Sequence, residues 1–154
     1  HGLPGLHTIF ECAKTEHNVA IIADGGIRTS GDMVKALAAG ADFVMVGSML
    51  AGTIETPGQV IHSASGNSHK VYRGMASKDA QMDWRGRASS NEGVSTTVPI
   101  CGHVSDKLGD IENGIRSGLS YSGARNIREL QAKAGFVRQT SASATESSTH
   151  IFLK

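Results

Sequence analysis

The feature that most constrains the fold is the apolar run Val19-Ala20-Ile21-Ile22-Ala23, which stops abruptly at Asp24-Gly25-Gly26. A continuous run rich in β-branched residues and closed by glycines reads as a strand buried on both faces, the pattern of a parallel sheet covered by helices. A second such run, Phe43-Val44-Met45-Val46, ends at Gly47-Ser48. Between them Ser30 is placed to cap a helix with Asp32 in its first turn; Met33, Val34, Leu37 and Ala38 recur at helical spacing, and Gly40 supplies the stop. Strand, glycine turn, helix and strand make one βαβ unit, because parallel strands need a crossover connection. The fold class is therefore α/β. Both glycine turns fall at the carboxyl ends of neighbouring parallel strands, where α/β proteins hold their ligands.

Around this unit the signals are weaker. Residues 6 to 13 read as a short helix, with residues 14 to 18 as its polar exit. Residues 53 to 67 read as a polar connection and Val71-Tyr72 as a short strand. Residues 74 to 93 form a long stretch of charge, Ser and Gly with the only tryptophan, Trp84; loops of that length are functional lids or disordered segments. Leu108, Ile111, Ile115 and Leu119 mark one face of a helix, and Ile127 and Leu130 mark another beginning near Ala124. Phe136-Val137 reads as a terminal strand, and residues 141 to 149 as a Ser/Thr-rich tail.

Composition excludes several functions. With 15 basic and 14 acidic side chains in 154 residues, the chain has no electrostatic footprint for nucleic acid or an anionic membrane surface. No window approaches the roughly 18 to 20 apolar residues of a membrane span, and the start lacks the pattern of a secretory signal. Cys12 and Cys101 have no metal-type spacing and point to a reducing, cytoplasmic compartment; no metal site is expected. The opening His1-Gly2-Leu3-Pro4-Gly5 reads as the middle of a loop, so a fragment or processed chain is expected.

Asp24-Gly25-Gly26 is the first candidate site. Glycines let backbone N–H groups approach a phosphate, and the neighbouring carboxylate can accept from ribose hydroxyls; the alternative is a plain turn with a solvated Asp. Gly47-Ser48 at the next strand end strengthens the first reading, because two adjacent strand-end loops supplying N–H donors and a hydroxyl form a phosphate cup. Tyr72 offers a further donor, and Gly74-Met75 can present backbone groups to a base edge; an aromatic packed at a strand end is the alternative. Glu92-Gly93 offers an acceptor for two adjacent N–H donors, as on a guanine edge, or a merely solvated loop. Trp84, Arg85 and Arg87 read equally as a cluster for an adenine nucleotide or as plain surface. The seven histidines share no spacing and read as surface residues.

Taken together, Ile22-Ala23-Asp24-Gly25-Gly26-Ile27, Gly47-Ser48-Met49-Leu50-Ala51-Gly52, Tyr72-Arg73-Gly74-Met75, Glu92-Gly93-Val94 and Arg116-Ser117-Gly118 with Tyr121-Ser122-Gly123-Ala124 resemble, in this order, the IMP dehydrogenase and GMP reductase family. The resemblance covers essentially the whole chain. It implies that residues 1–154 are the C-terminal part of one (β/α)₈ (TIM) barrel catalytic domain, with its seventh and eighth strands, a mobile flap at about residues 75–93 and closing helices, and no separate second domain.

By the same resemblance Asp24 binds the ribose, and Gly25, Gly26, Gly47, Ser48 and Tyr72 the 5′-phosphate. Gly74, Met75, Ala76, Glu92 and Gly93 hold the purine, with Glu92 in a catalytic role; Met75 also abuts the nicotinamide. Ser117, Gly118, Leu119 and Ser120 match a segment that reaches the dinucleotide of a neighbouring subunit, which implies a homo-oligomer, a tetramer. The nucleophilic cysteine of the family lies upstream of Gly2, in a loop that also holds a monovalent cation in some relatives, so neither Cys12 nor Cys101 takes that role. Members with dehydrogenase activity carry an adjacent Arg-Tyr in a longer flap; no tyrosine lies between Met75 and Glu92, and Arg85 and Arg87 lack that neighbour. The short flap resembles GMP reductase, which implies NADPH-dependent reductive deamination of GMP to IMP and ammonia. The rival readings are IMP dehydrogenase, oxidising IMP to XMP with NAD, and a non-catalytic purine-nucleotide-binding module.

Overall fold

A computed structural model describes residues 2–63, 66–89, 93 and 95–147. In chain order the elements are α1 (Gly5–Cys12), β1 (Ile22–Asp24), α2 (Ser30–Ala38), β2 (Phe43–Met45), α3 (Ser48–Ala51), β3 (Val60–His62), β4 (Ser68–Arg73), α4 (Lys78–Arg85), β5 (Ser95–Pro99), α5 (Val104–Tyr121), α6 (Ile127–Lys133) and α7 (Ser141–Glu146).

The βαβ unit is present. β1 pairs with β2 in parallel, Ile22 opposite Phe43, Ala23 opposite Val44 and Asp24 opposite Met45. α2 makes the crossover. Its N-cap is Thr29 rather than Ser30: the Thr29 hydroxyl accepts from the backbone N–H of Asp32, while the Asp32 carboxylate accepts from the N–H of Thr29, a reciprocal capping box. Ser30 is one residue too late to place its oxygen there.

Burial on both faces of the strands is not observed. Ala23 is buried and Val44 half-buried, both packed with Ala36, Ala41, Ile9, Ile21 and Ile27. The alternate residues Ile22, Phe43 and Met45 are 55%, 60% and 51% exposed. Successive side chains point to opposite faces of a strand, and among the described residues helices cover one face only. Val19 and Ala20 lie before the ladder and are exposed.

Beyond α2 lies a second helical layer. Leu37, Ala38, Ala124 and Leu130 form a core joined by Val34, Leu119 and Ile127, so α2 is held between the strands and the α5–α6 layer. Gly118 permits this approach: a Cβ there would fall 2.6 Å from Val34 Cγ2.

Between α3 and α5 the chain departs from the unit to form an antiparallel sheet in the order β3-β4-β5, accompanied by α4. The polar connection thus contains strand β3, and the long loop contains a capped helix: the Ser77 hydroxyl accepts from Ala80 N–H, and Gly86 closes α4 in the left-handed region at φ 67°. Phe136-Val137 is not a strand; Phe136 meets Phe10 edge-on at 5.0 Å instead. The Ser/Thr-rich tail begins as α7, capped by Thr140.

Candidate functional site

The parallel register sets Asp24 beside Met45, so the two glycine turns leave neighbouring strand ends. Gly25 and Gly26 have φ of 96° and 74°, values that side-chain-bearing residues rarely adopt, and a Cβ at either would meet no atom within 4 Å. Backbone conformation, not crowding, therefore demands glycine there and leaves the turn open to a ligand.

β4 brings a third component. The Tyr72 hydroxyl reaches over Gly47, where a Cβ would lie 2.9 Å from it. The result is a cleft of about 490 Å³ lined by Gly26, Ile27, Arg28, Ser48, Tyr72 and Gly74. Four of the residues singled out in the sequence converge in it, from three separate segments. Arg28 is an addition that the sequence reading missed; the signal available was a cation two residues beyond the glycine pair. Glycine turns, Ser48, Tyr72 and Arg28 around one cleft are residue types whose N–H, hydroxyl and guanidinium groups suit a phosphate.

Asp24 lies beside this cleft. With Gly25 and Gly26 it lines a neighbouring cavity of about 440 Å³ that runs along α1 past Leu6, Ile9 and Cys12. Gly26 is common to both cavities. The Asp24 side chain is exposed and takes part in no hydrogen bond or ion pair among the described residues, so its lone pairs are available to a ligand.

On the far side of Tyr72, Met75 is 70% exposed and lines a third cavity of about 950 Å³ with Val46, Gly47, Asp79 and Trp84. The excursion that begins at Gly74 returns to its start at Gly93: this residue has φ 98°, and a Cβ on it would lie 2.5 Å from the backbone nitrogen of Ser77. Gln81 ties the interior, donating to the Ala76 carbonyl at 2.7 Å and accepting from Ser89 N–H at 2.9 Å. Gly74, Met75, Ala76 and Gly93 are thus together. Glu92 lies outside the described residues.

Trp84 is 68% exposed and carries Arg85 over its ring at 4.6 Å, a cation–π pair. Of the helix α5 residues, Ser117 and Ser120 are exposed, whereas Gly118 and Leu119 pack toward α2 and its core. Cys12 and Cys101 are free and exposed, and among the described residues no three His, Cys, Asp or Glu side chains gather as metal ligands. No helix among those residues is long and apolar enough to cross a membrane.

Two charged groups brace the site. Asp32 caps α2 directly behind the first glycine turn; its Oδ1 pairs with Lys35 Nζ at 2.9 Å, and Oδ2 accepts from Arg28 N–H at 3.2 Å and from the Thr29 hydroxyl at 2.9 Å. The Lys35 hydrogen bond above all lowers the Asp32 pKa from 3.8 to about 2, against the opposing effect of partial burial. Glu55 accepts from the N–H of Val104 at 2.9 Å and pairs with the His103 ring at 2.9 Å, fixing the start of α5. Those hydrogen bonds, His103 first, hold its carboxyl below the usual range.

Residues 1–150 match the family model of the IMP dehydrogenase / GMP reductase domain. The chain belongs to this family. It is 45% identical to the inosine-5′-monophosphate dehydrogenase of Nitrosopumilus maritimus over 99% of its own length, and 42% identical to the GMP reductase of Leishmania major over 99%. Among solved structures it is similar to a GMP reductase variant from Trypanosoma brucei in complex with guanosine 5′-monophosphate, with a TM-score of 0.89 at 42% identity over 97% of the chain. The α/β fold is thus shared with a family of oxidoreductases whose members carry both names. The chain spans about a third of these relatives, 35%, 33% and 32% of their respective lengths.

Proposed function

We propose that this chain supplies the phosphate cup, the ribose carboxylate and the flap of a purine-nucleotide oxidoreductase with GMP reductase activity, and that it forms the C-terminal part of a (β/α)₈ barrel. The observation that carries this reading is the cleft in which Gly26, Ser48, Tyr72 and Gly74 converge.

In this reading the nucleotide 5′-phosphate sits in that cleft, taking hydrogen bonds from the turns at Gly25-Gly26 and Gly47-Ser48 and from the Tyr72 hydroxyl. Asp24 accepts from the ribose hydroxyls, which fixes the distance from cup to base. Gly74, Met75, Ala76 and Gly93 contact the purine, and Glu92 accepts its N1–H and exocyclic amine. A carboxylate suits this edge because it is an acceptor only. Holding the nucleotide at both ends turns the attack on purine C2 by a thiol from outside residues 1–154 into a positioned, effectively intramolecular event.

The apolar, exposed Met75 fits the flat face of a nicotinamide, and the exposed hydroxyls of Ser117 and Ser120 fit polar groups of a dinucleotide presented by a second copy. NADPH, when bound, supplies the hydride. The protein's part is to hold Met75 against the ring and to keep water from the reacting carbon by closing the 74–93 excursion.

IMP dehydrogenase is the second reading, favoured by the 48% identity to the Aquifex aeolicus dehydrogenase. The flap sequence weighs the other way: no tyrosine lies between Met75 and Glu92 to partner Arg85 or Arg87 in activating water. Assay of the full-length protein separates them. GMP-dependent oxidation of NADPH is expected; IMP-dependent reduction of NAD without the former activity would reverse the assignment.

A further inference from the structure

We propose that Lys70 is the positioning residue that sets the phosphate cup, acting by clamping the two parts of the cup together. This inference rests on the reading of the Gly26–Ser48–Tyr72–Gly74 cleft as the phosphate site.

Lys70 is 4% exposed, in the central strand of the antiparallel sheet, a place where a lysine is rare. Its ammonium donates to the carbonyl oxygens of Thr53 at 2.6 Å, Ile54 at 2.9 Å and Thr56 at 2.6 Å, with the Thr56 hydroxyl at 3.4 Å. Among the described residues it has no carboxylate partner. Three donors thus meet three carbonyls of one turn, a geometry that a compact ammonium satisfies and a planar guanidinium does not.

That turn follows α3 directly and is tied back to it. The Thr53 hydroxyl donates to the Leu50 carbonyl at 2.9 Å, and the Thr56 hydroxyl is shared between the carbonyls of Ala51 and Thr53, each at 2.8 Å. α3 is a single turn that begins at Ser48, so bonds to its last carbonyls, those of Leu50 and Ala51, set the position of the whole turn. Lys70 stands two residues before Tyr72 and on the same face of β4. One side chain therefore connects the strand that carries Tyr72 to the turn at residues 53–56, which is itself bonded to the end of the short helix that starts at Ser48. Among the described residues no other hydrogen bond joins β4 to residues 47–56, and the close approach of Tyr72 to Gly47 requires that they be held in register.

The test is Lys70→Met in the full-length protein, with affinities for GMP and for guanosine measured by calorimetry beside thermal unfolding. A clamp on the cup predicts that GMP binding weakens about tenfold, roughly 1.4 kcal/mol, while guanosine binding changes less than about twofold. The KM for GMP should rise while kcat holds. If Lys70→Met does not fold, Thr56→Val removes the hydroxyl link to Ala51 while keeping the ammonium, and the same selective loss, a few-fold, is expected. Equal losses for both ligands, or a lower melting temperature with unchanged GMP affinity, would make Lys70 a structural residue only. A wild-type protein that binds GMP no better than guanosine would overturn the phosphate reading of the cleft, and this inference with it.

Discussion

The Tyr72 hydroxyl and Gly47 approach so closely that a Cβ on Gly47 would lie 2.9 Å from that oxygen. The crowded atom is the far end of a side chain, so a methyl group there moves Tyr72 rather than the backbone. Gly47→Ala is expected to cost little stability and to weaken GMP binding about tenfold by pushing the hydroxyl out of the cleft. Calorimetry with GMP, beside thermal unfolding, checks both halves.

Asp24 ends β1 with an exposed carboxylate that is unpaired among the described residues, beside Gly25. Asp24→Ala should weaken nucleotide binding by about 1.5 to 3 kcal/mol, the range for a hydrogen bond to a charged group. The loss should be much smaller with a 2′,3′-dideoxy nucleotide, which has no hydroxyls to offer. Equal losses with both ligands would remove Asp24 from the ribose.

Asp32 gives the fold an acid-sensitive brace. Its carboxyl has a pKa of about 2 in the folded chain against 3.8 ordinarily. A pKa depressed by folding adds stability above the unfolded value, and that contribution is lost as pH falls through the folded one. Between pH 4 and pH 2 the protein should lose up to about 2 kcal/mol through this group. Urea unfolding of wild type and Asp32→Asn at both pH values isolates it: the difference between the two should shrink toward pH 2.

The strand pair makes its own prediction. Ile22, Phe43 and Met45 present one apolar face with no cover among the described residues. Expressed as residues 1 to 154 alone, the chain should therefore aggregate or unfold without a cooperative transition. A sharp monomeric melt with saturable GMP binding would instead favour a self-sufficient binding module.

The βαβ unit was legible because glycine stops and helical spacing are local signals, and the parallel register then brought Gly26 and Ser48 together without further instruction. Burial on both faces is not met among the described residues, where Ile22, Phe43 and Met45 stay exposed, because an apolar run such as Val19 to Ala23 does not say which segments will cover it. The antiparallel sheet was hidden for a different reason. Ser95 to Pro99 is polar and mostly exposed, and its pairing with β4 spans more than twenty residues, which no local pattern encodes. Helix α4 buries only Ala80 and Gln81, too few for a periodic stripe, and its caps, Ser77 and Gly86, do not stand out in a stretch already rich in Ser and Gly. Lys70 was invisible in the sequence because its meaning lies wholly in the carbonyls of Thr53, Ile54 and Thr56.

The central claim is that the cleft at Gly26, Ser48, Tyr72 and Gly74 holds a nucleotide phosphate. Its most direct measurement is the ratio of GMP to guanosine affinity in the full-length protein, wild type against a Ser48→Ala/Tyr72→Phe double variant. Wild type should prefer GMP by about a hundredfold or more, and the double variant should lose roughly tenfold to a hundredfold of that preference, one to two hydrogen bonds to a charged group. A preference that is absent in wild type, or unchanged in the double variant, would contradict the account.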